Sequence, residues 1–252
     1  MLRKLLFFIT AISMLYGCTT NGVMGAKPTE NEKKILIALS PEKGKAYIEK
    51  GELSEGQLVQ LEYLRWVEDT LEERYPDAKF EIESMQMSHN FRNDDRFYVT
   101  DESGTERMVS ITYDEDHNKI WADNCYSYKF EGDINDSLVA ILKKAGIEHP
   151  AVKTVFSTPV GEEVVNFNTL ADLAKTKKKI YYTSTMFVNE SEYDKKMHFE
   201  LTKNITKQTP SYKNIISHFV VYLVPEGTPM DDVKVLEALA KANSFEKIIA
   251  VG

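Results

Sequence analysis

Several features that often reveal a protein's chemistry are scarce in this chain of 252 residues. It has two cysteines, Cys18 and Cys125, and therefore no disulfide framework. After residue 17 it has no apolar run long enough to cross a membrane. It also lacks the linear motifs of zinc hydrolases, nucleotide-binding loops and serine-hydrolase nucleophile elbows. The missing motifs do not exclude catalysis, because many active sites have no linear signature.

Basic residues are also under-represented. The chain carries 31 Lys and Arg residues against 39 Asp and Glu residues, and without residues 1–17 the balance is 29 against 39, a formal charge of −10. An acidic surface repels nucleic acid phosphates and anionic membrane surfaces, so we expect no nucleic-acid partner. With 42% hydrophobic and 28% charged residues, the composition is typical of a soluble globular body.

The first eighteen residues have the order of a secretory signal. Arg3 and Lys4 precede an apolar run over residues 5–16, and the small residue Gly17 stands directly before Cys18. A helix of about twelve residues is about 18 Å long, whereas the hydrocarbon core of a bilayer is about 30 Å thick. The run therefore suits the core of a signal peptide better than a membrane span.

The end of this segment resembles the lipobox of bacterial lipoproteins, in which Leu, a small residue, and Gly or Ala precede a Cys. Leu15, Gly17 and Cys18 match, whereas Tyr16 stands where a small side chain is usual, so we expect slower processing. The resemblance implies that residues 1–17 are a lipoprotein signal peptide, and that Cys18 carries a diacylglyceryl group holding the protein on the extracytoplasmic face of the cell membrane. The alternative is an ordinary signal peptide cleaved elsewhere, with no role for Cys18.

The remainder is predicted to be an α+β protein. Residues 18–34, with the lipidated cysteine at their start, are polar and are predicted to form a flexible tether. Residues 35–148 are predicted to form a helix–meander–helix unit, and residues 149–252 an alternating, split-βαβ-like α/β unit. His149–Pro150 marks the boundary between them. The sequence leaves open whether the two units share one core.

The first of these units begins with strong helix signals. A helix over residues 41–50 is followed by Ser54 and Gln57, which form a capping box, and by an apolar stripe that ends at Pro76. Asp133 is predicted to cap a later helix that ends at Gly146. An antiparallel meander of four extended segments is predicted between these helices: residues 80–82, 96–100, 108–113 and 121–130.

The second unit alternates strands with helices. Asn168 is predicted to cap a short helix that ends in the lysines of residues 175–179, residues 191–207 are predicted to be helical, and Asp231 or Asp232 is predicted to open the last helix. Four strands are predicted, the last of them at an edge of the sheet: residues 154–158, 180–188, 215–224 and 247–251.

A short pattern in the first unit resembles a loose class of secreted Gram-positive bacterial proteins. Members carry a helix that ends in Lys-Tyr-Gly or Lys-Tyr-Pro, followed by a Phe-Glu-Val strand. Tyr75, Pro76, Phe80, Glu81 and Ile82 match in kind. Because most members have no assigned activity, the resemblance implies a compartment and an α+β fold but no chemistry.

One turn has part of the spacing of a calcium-binding loop. Asp114, Asp116 and Asn118 match the opening of an EF-hand, but Lys119 and Cys125 stand where that loop needs Gly and a bidentate Glu. A polar hairpin turn is therefore the favoured interpretation. Cys125 itself lies in an aromatic and acidic segment, which favours a buried apolar role over a reactive thiol.

The histidines do not form a zinc-hydrolase motif. Asp194 and His198 are four positions apart on a predicted helix, and Glu200 follows His198 by two. An exposed helical salt bridge is favoured over a metal pair. The lysines of residues 175–179 are interpreted as cations at a helix C-terminus, with a site for an anionic wall polymer as the sharper alternative.

No catalytic residue, cofactor site or metal site is assigned from the sequence, and Cys18 is its one predicted functional residue. Tyrosines of the predicted sheets either pack under helices or present a binding face. We therefore expect a lipid-anchored envelope protein that is a non-enzymatic binding module for an envelope protein, a peptide or a wall polymer. The alternatives are a hydrolase-like cell-surface enzyme without a linear motif, and a purely structural accessory.

Overall fold

The computed structural model describes residues 27–88, 94–194, 197–208, 212–242 and 245–251. Cys18 and the predicted signal peptide lie outside the described residues, so both stay predictions. None of the helices in the described ranges has the length and apolar character needed to span a membrane. The chain divides into two compact units, of which the first is Met1–Gln86 with Phe97–Glu102 and the second is Met87–Arg96 with Ser103–Gly252.

The first helix begins earlier than the sequence analysis expected. Helix α1 spans Glu30–Leu39, so the predicted tether over residues 18–34 is wrong for its last five residues. Thr29 caps this helix through a reciprocal capping box with Glu32, which satisfies two backbone N–H groups at the helix start. Glu32 is buried, and the Arg65 guanidinium balances its charge, with 2.6 Å between Arg65 Nε and Glu32 Oε1.

The next two helices confirm their sequence signals. Helix α2 spans Glu42–Glu49 and helix α3 spans Glu55–Arg74. The capping box at Ser54 is present, and the backbone leaves the helix before Pro76. The residues of the predicted stripe are buried in the core of the first unit: Leu61, Leu64, Val67, Leu71 and Tyr75.

The meander is confirmed as a four-stranded sheet in the order β1-β2-β3-β4. Its strands are β1, Phe80–Gln86; β2, Asp95–Asp101; β3, Glu106–Tyr113; and β4, Lys119–Asp123. Strands β3 and β4 pair antiparallel, with Tyr113 opposite Lys119 across the hairpin turn.

The predicted extended segment over residues 121–130 is wrong after its third residue. Strand β4 stops at Asp123, whose backbone pairs with Val160 and whose carboxylate accepts the Cys125 N–H at 2.8 Å. Helix α4 then spans Tyr128–Lys144, so Asp133 lies inside it and does not cap it. Tyr126, Tyr128 and Phe130 do alternate, as the side chains on one face of a strand would, but the chain forms a 3₁₀ turn over Cys125–Ser127 and then the helix.

The second sheet contains the strands predicted for the second half. They are β5, Ala151–Phe156; β6, Ile180–Asn189; β7, Ile215–Val224; and β8, Glu246–Val251, in the order β5-β6-β7-β8. Strands β6 and β7 are parallel, and the other neighbours are antiparallel. The last strand lies at an edge, as predicted. Together with the meander and the helices, this mixed sheet confirms the α+β fold class.

Two of the three helices of this half differ from prediction in their bounds. Helix α5 spans Leu170–Leu173 and is capped by Thr169, one residue after the predicted cap at Asn168. Helix α6 spans Met197–Gln208, so residues 190–192, which form a 3₁₀ turn, are not part of it. Helix α7 spans Val233–Lys241 and is capped by Asp232, one of the two residues predicted to open it.

The core of the second unit joins residues from both sides of the predicted boundary at 148/149. Neighbouring aromatic rings lie 5.1–6.4 Å apart from centroid to centroid along a chain that runs from the start of α4 into the mixed sheet: Tyr126, Phe130, Phe156, Tyr182 and Phe219. The predicted boundary therefore falls inside one compact unit, and α4 shares its core with the mixed sheet.

Candidate functional site

One end of the mixed sheet gathers three polar loops. Strands β6 and β7 run parallel and end side by side, with Asn189 opposite Val224. Strand β5 starts at this same end, since Ala151 pairs with Phe187. In open α/β sheets, ligands bind outside the carboxyl ends of the parallel strands, where the connecting loops meet. The loops before β5, after β6 and after β7 are therefore the place to look for a ligand site.

The loop before β5 is set by the way helix α4 ends. Gly146 has φ +93°. A residue with a side chain would be strained in this backbone conformation, whereas glycine adopts it freely. Two N–H groups close the end of the helix, from Gly146 to the Lys143 carbonyl at 3.0 Å and from Ile147 to the Leu142 carbonyl at 3.2 Å. This is the Schellman pattern, and it directs the following residues, Glu148–Pro150, out of the helix towards the sheet end.

The loop after β6 supplies a carboxylate to that segment. Glu192 Oε2 accepts the backbone N–H of Glu148 at 2.9 Å and that of His149 at 3.4 Å. Its other oxygen, Oε1, lies 3.3 Å from His149 Nδ1. The loop itself is held by Asn189, whose Oδ1 accepts the Ser191 N–H at 3.0 Å. The two loops are therefore joined through one side chain.

The electrostatics of Glu192 favour its ionised form. Burial raises the pKa of this carboxyl, but the hydrogen bonds from the His149 ring and from the two backbone N–H groups outweigh burial and lower the pKa below its ordinary value. The His149 side chain is 72% exposed, whereas that of Glu192 is 21% exposed. An anchored carboxylate thus faces an accessible imidazole.

The third loop closes the site into a cleft of about 580 Å³. After β7, the chain turns through Gly227, whose φ is +85°, and reaches Met230 and Asp231. Val139 of helix α4 and Met230 give the cleft apolar walls, and Lys143 adds one positive charge to a rim that is otherwise acidic. The cleft is of the size that small-molecule sites occupy.

The chemistry of the cleft is that of cation and hydrogen-bond recognition. One ligand atom each from Glu148, His149 and Glu192 lies within 4.8 Å of the other two. Carboxylate oxygen and imidazole nitrogen are ligands of borderline divalent metals. Among the described residues, this is the group whose spacing could hold a metal ion.

A second cleft, of about 630 Å³, lies within the helical part of the first unit. It is lined by the α1–α2 and α2–α3 turns and by residues of helices α2 and α3, among them Tyr47 of α2. Its main polar groups bind one another, since Gln57 Nε2 donates to Ser40 Oγ at 3.0 Å and Gln57 Oε1 accepts the Ser54 N–H at 2.9 Å. Among the described residues, the group that could hold a metal ion lies in the other cleft, so this cleft is the weaker candidate for ligand recognition.

A buried charged network in the second unit serves the fold. The Arg107 guanidinium lies against the Glu131 carboxylate, with 2.7 Å between Nη2 and Oε2, and it donates to Ser127 Oγ at 2.6 Å. Burial, aided by the nearby Asp123 and Glu131 carboxylates, raises the pKa of Tyr126 strongly. Cys125, beside this network, is fully buried. The network has no opening to solvent comparable to the cleft, because both charged side chains are enclosed.

The Asp114 turn is a polar hairpin, as the sequence analysis favoured. Asp114 Oδ1 accepts the N–H groups of Asp116 and Asn118 at 2.9 and 2.7 Å, so its carboxylate closes the turn. His117, at the tip, has φ +61°.

The predicted helical pair of Asp194 and His198 is not formed on one helix, because α6 begins at Met197 and Asp194 precedes it. The side chain of His198 lies outside the described residues, so the metal alternative stays untested. The lysines of residues 175–179 follow α5, which ends at Leu173, and do not form its last turn. Lys175 pairs with Asp172 at 2.7 Å, and the other three lysines are exposed.

Sequence reasoning missed the cleft. Its two contributing segments, at Glu148–His149 and Glu192, are 43 and 44 positions apart. The one local signal was His149–Pro150, which the sequence analysis read as a unit boundary. Pro150 disfavours a helical backbone at His149, and the chain has left helix α4 before this residue.

Comparisons with known proteins place the chain in no family. No protein-family model matches it, and no curated protein matches it. The crystal structure of a DUF5037 family protein from Ruminococcus gnavus is similar to 71% of this chain and 79% of its own, at 14% sequence identity and a TM-score of 0.41.

Proposed function

We propose that this protein is a lipid-anchored protein of the bacterial cell envelope whose folded body is a non-enzymatic binding module, with the cleft at the end of the mixed sheet as its ligand site. The observation that supports the binding role is the convergence of Glu148, His149 and Glu192 on a cleft of about 580 Å³. Sites of this kind combine apolar walls with a few polar groups that fix orientation.

The electrostatics of Glu192 suit ligand binding better than proton transfer. A general acid or base works best with a pKa near the operating pH. The pKa of Glu192 is shifted the other way, because its hydrogen bonds outweigh burial and keep the carboxyl ionised. A hydrogen-bonded carboxylate that favours its ionised form can hold a cation or a donor group of a ligand.

The anchor is supported by the sequence. Arg3, Lys4 and the apolar run stand in the order of a secretory signal, and Leu15, Gly17 and Cys18 match a lipobox from which Tyr16 departs. Burial of acyl chains contributes about 0.8 kcal/mol per methylene, and two chains give lasting attachment. The folded body then needs no membrane contact of its own.

Fatty-acid labelling tests the anchor directly. The full chain is expressed in a bacterial host with an alkyne fatty acid, and wild type, Cys18→Ala and Cys125→Ala are compared for label and for membrane retention. We expect Cys18→Ala to lose both, while Cys125→Ala, the matched change at the other cysteine, keeps both. Label and retention that persist in Cys18→Ala contradict the anchor.

Affinity capture tests the binding role of the cleft. Wild type and the double variant His149→Asn/Glu192→Gln are used to capture components of an envelope extract. We expect a component that wild type retains and the double variant does not. If both retain the same components to the same extent, the cleft is not the ligand site.

A further inference from the structure

The geometry of the cleft points to a bound metal: we propose that Glu148, His149 and Glu192 form a binding site for a divalent transition metal of the zinc class. This inference rests on the proposed function, because it names the ligand class of the same cleft. The sequence contains no zinc motif at these positions, since the ligands come from two loops 43 and 44 positions apart.

The spacing of the ligand atoms matches a metal centre. Zinc bonds to imidazole nitrogen and carboxylate oxygen are about 2.0–2.1 Å long, which places tetrahedral ligand atoms about 3.3 Å apart. His149 Nδ1 and Glu192 Oε1 are 3.3 Å apart. The Glu148 oxygen lies within 4.8 Å of both, and this side chain is exposed, so it has room to rotate towards a bound metal.

The Glu192 carboxylate, on the loop after β6, is held in place by hydrogen bonds without a metal. Two backbone N–H groups hold Glu192 Oε2, which leaves Oε1 directed at the imidazole. Metal-ligand side chains are typically oriented by hydrogen bonds of this kind. When the metal coordinates Nδ1, the ring proton is carried on Nε2, and the cation takes the place of the proton between Nδ1 and Oε1.

The donor set selects the class of metal. Two carboxylates and one neutral imidazole bring a charge of −2 to a divalent cation. The positive charge of Lys143 on the rim offsets part of this attraction. Calcium takes six to eight oxygen ligands, and magnesium prefers oxygen and water, whereas a nitrogen ligand favours zinc and its neighbours. Three protein ligands leave a fourth position on zinc for an exchangeable group. Asp231 and Asn189 also line the cleft.

Zinc titration by calorimetry tests the site on the full-length protein without an affinity tag, in detergent. The variants are His149→Asn, Glu148→Gln and Glu192→Gln, in which glutamine keeps an oxygen to accept the two N–H groups. His117→Asn is the matched control, because His117 is an exposed histidine beside acidic residues and asparagine tolerates its φ of +61°. Repeating the titration with Cys18→Ala accounts for zinc held by the Cys18 thiol of any chain that lacks the diacylglyceryl group.

We expect one zinc ion per chain, at least about a tenfold loss of affinity in each of the three site variants, and no change in His117→Asn. Calcium should bind far more weakly than zinc. The proposal is overturned if zinc does not saturate a site, if the site variants bind as well as wild type, or if His117→Asn loses as much affinity as His149→Asn. If zinc does not bind but Cys18 is labelled, the metal site is refuted and the anchor stands. If zinc binds but Cys18 is not labelled, the anchor alone is refuted.

Discussion

Replacement of Glu131 by glutamine removes the negative partner of a buried guanidinium. Arg107 is 2% exposed and Glu131 is 8% exposed, so water cannot replace the lost charge. Glutamine keeps one carbonyl oxygen for Arg107 but turns its amide group towards a second guanidinium N–H. Breaking a buried ion pair in this way costs about 3–5 kcal/mol, out of a total stability of about 5–15 kcal/mol for a typical domain.

Urea unfolding measures this loss within the second unit. The chain has two tryptophans, Trp66 and Trp121, and Trp121 lies in β4 close to the network, where its Nε1 donates to Asp123. In a Trp66→Phe background, fluorescence therefore reports on this unit alone. A loss of about 3 kcal/mol lowers the urea midpoint by about 1–1.5 M for a slope of about 2–3 kcal/mol/M.

The double variant Arg107→Met/Glu131→Leu serves as the control for this prediction. It replaces both charges with apolar side chains of similar length, and such replacements are often neutral or stabilising. We expect it to be more stable than Glu131→Gln alone. The reasoning is refuted if Glu131→Gln stays within about 1 kcal/mol of wild type, or if the double variant is the less stable of the two.

Two further predictions concern pH and backbone conformation. Burial raises the pKa of Glu32, but its hydrogen bonds to Arg65 and Thr29 outweigh burial and lower the pKa below its ordinary 4.5, so the stabilisation it contributes is present above about pH 4.5 and is lost as the pH falls through the folded-state pKa. Wild type should therefore lose more stability on acidification than Glu32→Gln, and equal losses in urea titrations at several pH values would contradict the linkage. Gly146→Ala should destabilise the protein by about 1–2 kcal/mol because Gly146 has φ +93°, whereas Gly132→Ala, in open space inside helix α4, should stabilise it by about 0.5–1 kcal/mol. Thermal melts of the two variants should shift in opposite directions, and shifts of the same sign would argue against the backbone explanation.

Local signals predicted several helix ends well, whereas the caps predicted at Asp133 and Asn168 are wrong. The box at Ser54 and Gln57, the stop at Pro76 and the end at Gly146 are all formed as predicted. The same rule explains one miss, because Thr29 and Glu32 form an equally good box that the tether prediction passed over. These signals work because a cap needs partners no more than three or four residues away.

The segment around residues 121–130 was mispredicted because its direction depends on distant partners. Asn124 donates from Nδ2 to the Phe156 carbonyl at 2.8 Å, and its Oδ1 accepts the Met108 N–H at 2.6 Å. These two contacts join residues 32 and 16 positions away from Asn124. An alternating aromatic pattern cannot reveal such partners, so the turn from strand to helix was invisible in the sequence.

The sequence by itself determined the α+β class, the capped helices and the strands of the mixed sheet, because helix and strand periods are local properties of the chain. It also carries the whole case for Cys18, which stays a prediction. Only the tertiary structure decided that α4 shares a core with the mixed sheet and that Glu192 meets His149. That meeting depends on the register of β5 against β6, which brings together side chains 43 positions apart and is set by the packing of the whole sheet.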